Sequence, residues 1–239
     1  MQGDVNSQKF SLAIDGTAAS GKSTVAKLLA ERLNCSYLDT GKLYRAVALW
    51  FLQHLGSQPE SWGTDHHLEE TLHQMSLRME APPRGECRIL LHDADVNERL
   101  CDLHVERATP FAARIPLVRE HLLDVQRDLA KTSSVVMAGR DIGTVVLPNA
   151  TLKVFIEADL TERARRRLSQ HKDTFTEDEL KKAADALGAR DASDANRKHA
   201  PMRAATDSLQ LDSTQRTPQQ LVDEIAHALQ SRLEEENCE

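Results

Sequence analysis

Apolar residues in this chain fall into short continuous runs separated by longer stretches in which they recur every three or four positions. That alternation predicts strands and helices in turn, the pattern of an α/β fold with a buried parallel sheet. Phe10 to Ile14, Ser36 to Leu38, Val135 to Ala138 and Leu152 to Ile156 read as strands, with Leu209 to Leu211 as a weaker fifth. From Lys22 onward Val25, Leu28, Leu29 and Leu33 fall at helical spacing. Pro116 opens a second helix with Val118, Leu122, Val125 and Leu129 on its apolar stripe. Thr217-Pro218-Gln219-Gln220 is a capping box with proline at the first helical position, and Leu221, Ile225, Leu229 and Leu233 carry the last stripe.

Two segments depart from this rhythm. Between roughly 58 and 110 the apolar pattern weakens and Pro59, Pro82, Pro83 and Gly85 punctuate it, which predicts an inserted lobe. Arg88 to Val96 fits a hairpin turning near Asp93-Ala94-Asp95. From roughly 163 to 200 the chain is charged and poor in large apolar residues, the composition of a mobile segment. No internal repeat or low-complexity tract is visible.

The first predicted strand runs into Gly16-Thr17-Ala18-Ala19-Ser20-Gly21-Lys22-Ser23-Thr24, which matches G-x-x-x-x-G-K-[ST], and a helix follows. Small residues let backbone N–H groups converge on phosphate oxygens, and the helix N-terminus favours negative charge. In such a loop Lys22 reaches the β- and γ-phosphates and the Ser23 hydroxyl ligates Mg²⁺. This predicts ATP or GTP as a ligand and leaves the acceptor open.

Polar residues follow two further strands at the edge where open α/β sheets bind ligands. Leu38-Asp39-Thr40-Gly41 leads into a helix carrying Tyr44 and Arg45. Met137-Ala138-Gly139 runs directly into Arg140-Asp141. Arg45 alone reads as a solvated arginine on a helix sooner than as a ligand, and Arg140-Asp141 reads also as a structural ion pair. Asp141 also has the place of a Walker B carboxylate, although the usual Asp-Glu ending is missing. Arg190, Asp194 and Arg197 share one face of a helix, either as a surface ladder or as a site. Arg163, Arg165, Arg166 and Arg167 follow the capping-box pattern Asp159-Leu160-Thr161-Glu162 and read also as a solvated helix face.

Net charge is −7 and charged residues make up 28% of the chain, so these arginines gather in an acidic protein. The acidity argues against sequence-independent nucleic-acid binding and allows a local basic pocket. Phosphoryl transfer between two phosphates needs such a pocket, because donor and acceptor repel each other. Cys35, Cys87, Cys101 and Cys238 show no metal-ligand spacing and read as free thiols of a reducing compartment. Met1 to Asn6 has no signal-peptide pattern, and no run approaches transmembrane length, so a cytoplasmic protein is expected.

Taken together, the phosphate loop, Leu38-Asp39-Thr40-Gly41 with Tyr44-Arg45, Ile115-Pro116-Leu117-Val118-Arg119, Gly139 to Val146, Arg190-Asp191 with Asp194 and Asn196-Arg197, and Leu211-Asp212-Ser213-Thr214 resemble the bacterial cytidylate kinases, over nearly the whole chain. The resemblance implies a P-loop NTPase core with a parallel sheet flanked by helices, an inserted NMP-binding lobe and a lid. It places the core at 1–57, 111–162 and 201–239, the lobe at 58–110, and the lid and acceptor-binding helices at 163–200. It implies ATP-dependent phosphorylation of CMP and dCMP with Mg²⁺, by a monomer acting on free nucleotides, with no nucleic-acid polymer or membrane as partner. Residues Gly16 to Thr24, with Arg163 and Arg166 of the lid, would hold ATP. Thr40, Arg45, Arg140 and Arg197 would surround the acceptor phosphate, Arg190 and Asp194 the ribose, Arg119 and Asp141 the cytosine. Lys22, Arg140 and Arg197 would be the catalytic cations. The family usually has serine six residues before the proline of its Ile-Pro-x-Val-Arg stretch. Here that position is Pro110, and neighbouring Thr109 is the candidate hydroxyl. Thr17 stands where the family commonly has proline.

Two other classes fit parts of this pattern. A nucleotide-dependent switch needs no second anion site and would leave Arg45, Arg140, Arg190 and Arg197 idle. A kinase for a small hydroxylated metabolite such as shikimate is usually shorter and lacks the lobe.

Overall fold

The computed structural model describes residues 8–170 and 172–237. Its strands are β1 (Ser11–Gly16), β2 (Ser36–Asp39), β3 (Leu77–Glu80), β4 (Gly85–Glu86), β5 (Arg88–Leu91), β6 (Ala94–Asp95), β7 (Val135–Ala138), β8 (Leu152–Glu157) and β9 (Leu209–Asp212). Its helices are α1 (Lys22–Arg32), α2 (Gly41–His54), α3 (Leu68–Gln74), α4 (Leu103–Ala112), α5 (Pro116–Thr132), α6 (Leu160–Ser169), α7 (Glu177–Ala195) and α8 (Pro218–Glu236). Six strands form one sheet in the order β4-β2-β7-β1-β8-β9, and every pairing in it is parallel. All five strands expected from the apolar runs are members, most of them a residue or two longer than the runs themselves.

Alternation along the strands sends side chains to two helical layers. Leu12, Ile14, Val136, Ala138 and Val154 pack with Val25 and Leu29 of α1 and Leu221, Ile225 and Leu229 of α8. Ala13, Leu38, Val135 and Met137 face the opposite layer, which contains α2 and α5. On α5 the stripe differs from expectation at one place, where Gln126 rather than Val125 is buried. Its amide is accommodated because Nε2 donates to the Leu122 carbonyl at 2.8 Å.

The inserted stretch is more integrated than its broken periodicity suggests. Leu68, Leu72, Met75, Ile89, Leu91, Val96, Leu100 and Val105 pack in one continuous cluster with α2 and α5. Strand β4, from this same stretch, extends the main sheet alongside β2. The expected hairpin is β5–β6, but it turns at His92-Asp93, one residue earlier than predicted, and β3 adds a third antiparallel strand. His92 and Asp93 have φ of 48° and 65°, positive at both central positions, as a type I′ hairpin turn requires.

The polar stretch after β8 folds into α6 and α7. Asp159 caps α6 through the amides of Thr161 and Glu162, and Thr176 with Glu179 forms a full capping box on α7. Ala164 and Leu187 bury themselves with Ala18 of the phosphate loop, a small-residue contact that brings α6 and α7 close to that loop.

Where β1 meets the loop, Gly16 lies against β8. A Cβ there would stand 2.0 Å from the Ile156 carbonyl oxygen. Gly16→Ala is therefore expected to force β1 and β8 apart and lower stability by about 3 kcal/mol or more. A urea melt with a midpoint equal to wild type would contradict this.

Candidate active site

Three chain crossings at one edge of the sheet assemble the site. The phosphate loop follows β1, Thr40 to Arg45 follow β2, and Arg140-Asp141 follow β7. Because the strands are parallel, all three segments emerge at the same carboxyl edge. Residues of α6 and α7 close the arrangement from above.

On the donor side, Gly21 at the α1 N-terminus has φ of 86°, a left-handed conformation in which glycine pays no steric cost. Lys22 is 7% exposed, and its Nζ donates to the Thr17 carbonyl at 2.9 Å. Burial pushes its pKa well below the ordinary lysine value, and the nearby positive charge of Arg140 pushes the same way. The hydroxyls of Thr17 and Ser20 are buried without a hydrogen-bond partner. Ser23 is exposed on the first turn of α1 beside Tyr37. Its hydroxyl oxygen is the hard donor that a Mg²⁺–triphosphate complex takes. Thr24 is also exposed on that turn.

Arg163 and Arg166 stand behind the loop. Arg163 is buried, with Nε donating to the Ala158 carbonyl at 3.0 Å, Nη1 donating to the Ala18 carbonyl at 3.1 Å, and an ion pair to Asp191. Asp191 in turn accepts the Ala18 N–H at 2.9 Å. One ion pair thus grips Ala18 by both backbone groups and ties α7 to the loop. Arg166 donates to the Ser213 carbonyl at 2.6 Å and the Ser213 hydroxyl at 3.0 Å, and it lies beside the Ser20 carbonyl. Both guanidinium groups therefore hold the loop's shape through its carbonyls. Arg163→Ala leaves the Asp191 carboxylate partly buried and unpaired, and about 3 kcal/mol of stability should be lost. For a chain of this size that is a drop in Tm on the order of 10 °C. An unchanged Tm would show that the pair does not brace the loop.

On the acceptor side, Thr40 is buried and its hydroxyl donates to the Ala138 carbonyl at 3.0 Å. Gly139 permits that approach, since a Cβ there would lie 2.7 Å from the Thr40 hydroxyl. Arg45 stands 3.8 Å from Asp39. Asp194 gathers two arginines, with Arg140 Nε at 3.2 Å and Arg197 Nη2 at 3.0 Å. Arg197 lies two residues past the end of α7, so the predicted helical face of Arg190, Asp194 and Arg197 is completed by the turn that follows the helix. Arg190 is exposed near the end of α7, where desolvation by the surrounding protein and then the charge of Arg140 lower its pKa. Arg119 and Asp141 form a buried ion pair, and Arg119 also lies over the Tyr44 ring, 5.3 Å from its centroid. Thr109 is buried within α4, where its hydroxyl donates to the Val105 carbonyl at 2.7 Å.

The sequence reading assigned no role to three residues that belong here. Asp191 was visible only as part of Arg190-Asp191. Arg114 donates to the Ser193 hydroxyl at 2.8 Å and lines a cleft with Arg197 and Lys198. Asp15 is a carboxylate ending an apolar strand, a local signal that could have marked it. No helix among the described residues is long and apolar enough to cross a membrane.

Comparison with known proteins agrees with this geometry. A family model described as cytidylate kinase matches residues 12–231. A cytidylate kinase of Geobacillus kaustophilus is 38% identical over 230 residues, 95% of this chain and 99% of the relative. One of Streptococcus suis is 38% identical over 207 residues, 87% of this chain and 90% of the relative. A crystal structure of an uncharacterized protein from Eubacterium ventriosum shares the fold, with a TM-score of 0.52 at 16% identity over 94% of this chain and 99% of that one. With a phosphate loop after its first strand, Arg140 and Arg197 gathered by Asp194, and a family match along nearly its whole length, the chain belongs to the cytidylate kinases.

Proposed function

We propose that the cleft holds ATP on the phosphate loop and CMP or dCMP against the arginines opposite, and passes the γ-phosphoryl group directly between them. A CMP phosphate oxygen attacks the γ-phosphorus in line, a new P–O bond forms, and the bond to the β–γ bridging oxygen breaks to release ADP. No protein nucleophile takes part. With the attacking phosphate deprotonated, no base is needed either, so catalysis rests on positioning and charge.

The observation that carries this reading is the meeting of cations from both walls. Arg140, presented by β7 on the acceptor side, and Arg190 of α7 both act on the charge of Lys22 in the donor loop. Their mutual repulsion would be relieved by an anion bound among them. Asp194 keeps Arg140 and Arg197 in one place before substrate arrives. In the reaction Lys22, Arg140 and Arg197 flank the transferring group, with Thr40 and Arg45 beside the acceptor phosphate. Arg190 and Asp194 meet the ribose, and Arg119 with Asp141 meets the cytosine, near buried Thr109. Mg²⁺, held by Ser23 and the triphosphate, would supply charge neutralisation at the β- and γ-oxygens. Closure of α6 and α7 over the nucleotide keeps water from the γ-phosphate.

The free buried thiols of Cys35 and Cys87 support a reducing compartment such as the cytoplasm. A coupled assay of ADP release tests the reading. ATP consumption should depend on an added nucleoside monophosphate, fastest with CMP and dCMP and much slower with UMP and AMP. ATP turnover independent of CMP would indicate a switch protein instead.

A further inference from the structure

We propose that Asp15 is a positioning residue that caps the turn after Asp141 and so frees the Asp141 carboxylate to select the acceptor base. Asp15 is the next-to-last residue of β1, immediately before Gly16 of the phosphate loop, and is 4% exposed. Its Oδ1 accepts the Ile142 N–H and its Oδ2 the Gly143 N–H, each at 2.7 Å. Those are the first two amides of a π-helical turn, Ile142–Val146, whose N-cap residue is Asp141. An aspartate at an N-cap ordinarily turns its carboxylate onto the amides that follow. Asp141 makes no such bond, and its carboxylate instead pairs with Arg119. A carboxylate from a different strand, more than a hundred residues away in sequence, does the capping in its place.

The chemistry of that position requires a carboxylate. The two N–H groups each take a different oxygen of Asp15, so an asparagine in the same pose keeps one bond and sets an N–H₂ against the other amide. The cost is visible in the charge balance. Burial pushes the Asp15 pKa up to about 6, against the two amide hydrogen bonds and the positive charge of Lys22, with Asp141 raising it further. A stability-driven choice at a buried strand end is a neutral side chain. Keeping an expensive charge between the donor lysine and the Asp141 loop indicates a duty in aligning the two.

The inference rests on Asp141 facing the cytosine, and the experiment separates the two claims. kcat/KM for CMP and for UMP is measured at pH 8 under saturating ATP for wild type, Asp141→Ala and Asp15→Asn. Asp15→Asn should lower kcat/KM for CMP at least tenfold and the CMP-to-UMP ratio at least fivefold, with KM for ATP within threefold of wild type. If Asp141→Ala collapses the ratio and Asp15→Asn leaves it intact, the positioning role is overturned and the base-reading role stands. If Asp141→Ala itself leaves the ratio intact, the base-reading role fails and the inference fails with it. A rise in KM for ATP that matches the loss for CMP would mark a general structural role and also overturn it. Amide NMR of the ligand-free wild type gives a measurement that needs no variant. The Ile142 and Gly143 amides should exchange slowly with solvent and shift together as Asp15 takes up a proton near pH 6; amides that exchange as fast as exposed ones would refute the capping.

Discussion

Lys22→Ala is expected to lower kcat by on the order of 10³ while leaving the fold intact. Removing one preorganised cation or donor from a water-poor site costs about 10² to 10³ in rate, and Lys22 sits where charge is redistributed during transfer. The fold should survive because Nζ makes a single bond, to a loop carbonyl. Stability argues the same way. The folded chain binds the Lys22 proton less tightly than the unfolded chain, whose value is near 10.5. Between the depressed pKa and 10.5 the unfolded state binds more protons, so wild-type stability rises with pH across that window. Below the window, wild type carries the full cost of a buried ammonium and the alanine variant does not. At pH 7 the variant's Tm should lie no more than about 2 °C below wild type, and a rise is the expected sign. Retained turnover would remove Lys22 from the donor site. Lost turnover with a collapsed Tm would make its role structural.

The second large effect is on base choice. Cytosine presents an exocyclic amine, which donates to a carboxylate, whereas uracil presents a carbonyl at the same place. Against the Asp141 carboxylate, uracil sets acceptor to acceptor with no proton between them. A buried mismatch of this kind costs about 1–3 kcal/mol and discriminates by about 10- to 100-fold or more. Asp141→Ala should remove most of that preference. It should also destabilise the protein by about 3 kcal/mol, because Arg119 loses its buried partner. Asp141→Asn is the cleaner comparison. Its amide can donate to the uracil carbonyl, so the ratio of kcat/KM for CMP to that for UMP should fall further and approach or pass unity. An unchanged ratio in both variants would take Asp141 out of base recognition.

The central sheet and the phosphate loop were legible because both are local. A run such as Val135 to Ala138 has few ways to bury four apolar residues other than as an interior strand, and this strand is indeed buried on both faces. The capping box at Thr217 and the cap at Asp159 were legible for the same reason, since their partners lie within three residues. The inserted stretch was not. Its apolar residues look scattered until α2 and α5 are placed opposite them, and its strand β4 is only two residues long. The turn of the β5–β6 hairpin moved because pairing of Leu91 with Ala94 leaves only His92 and Asp93 to make it.

At the site, residue types were readable and partnerships were not. Arginines at 45, 140, 190 and 197 could each have been a solvated side chain. Arg163 and Arg166 read as ATP contacts, whereas their guanidinium groups are committed to loop carbonyls, Asp191 and Ser213.

By itself, then, the chain's pattern determined a parallel α/β sheet, a polyphosphate loop at the end of its first strand, and an excess of arginine over what an acidic protein needs on its surface. Those properties depend on backbone geometry and on spacings of a few residues. Only the tertiary structure decided that Asp194 gathers Arg140 and Arg197, that Asp191 and Arg163 grip the loop, and that Asp15 rather than Asp141 caps the turn after β7. Electrostatic and hydrogen-bond partners are chosen by distance in space, and here nearly all of those distances span residues far apart in the chain.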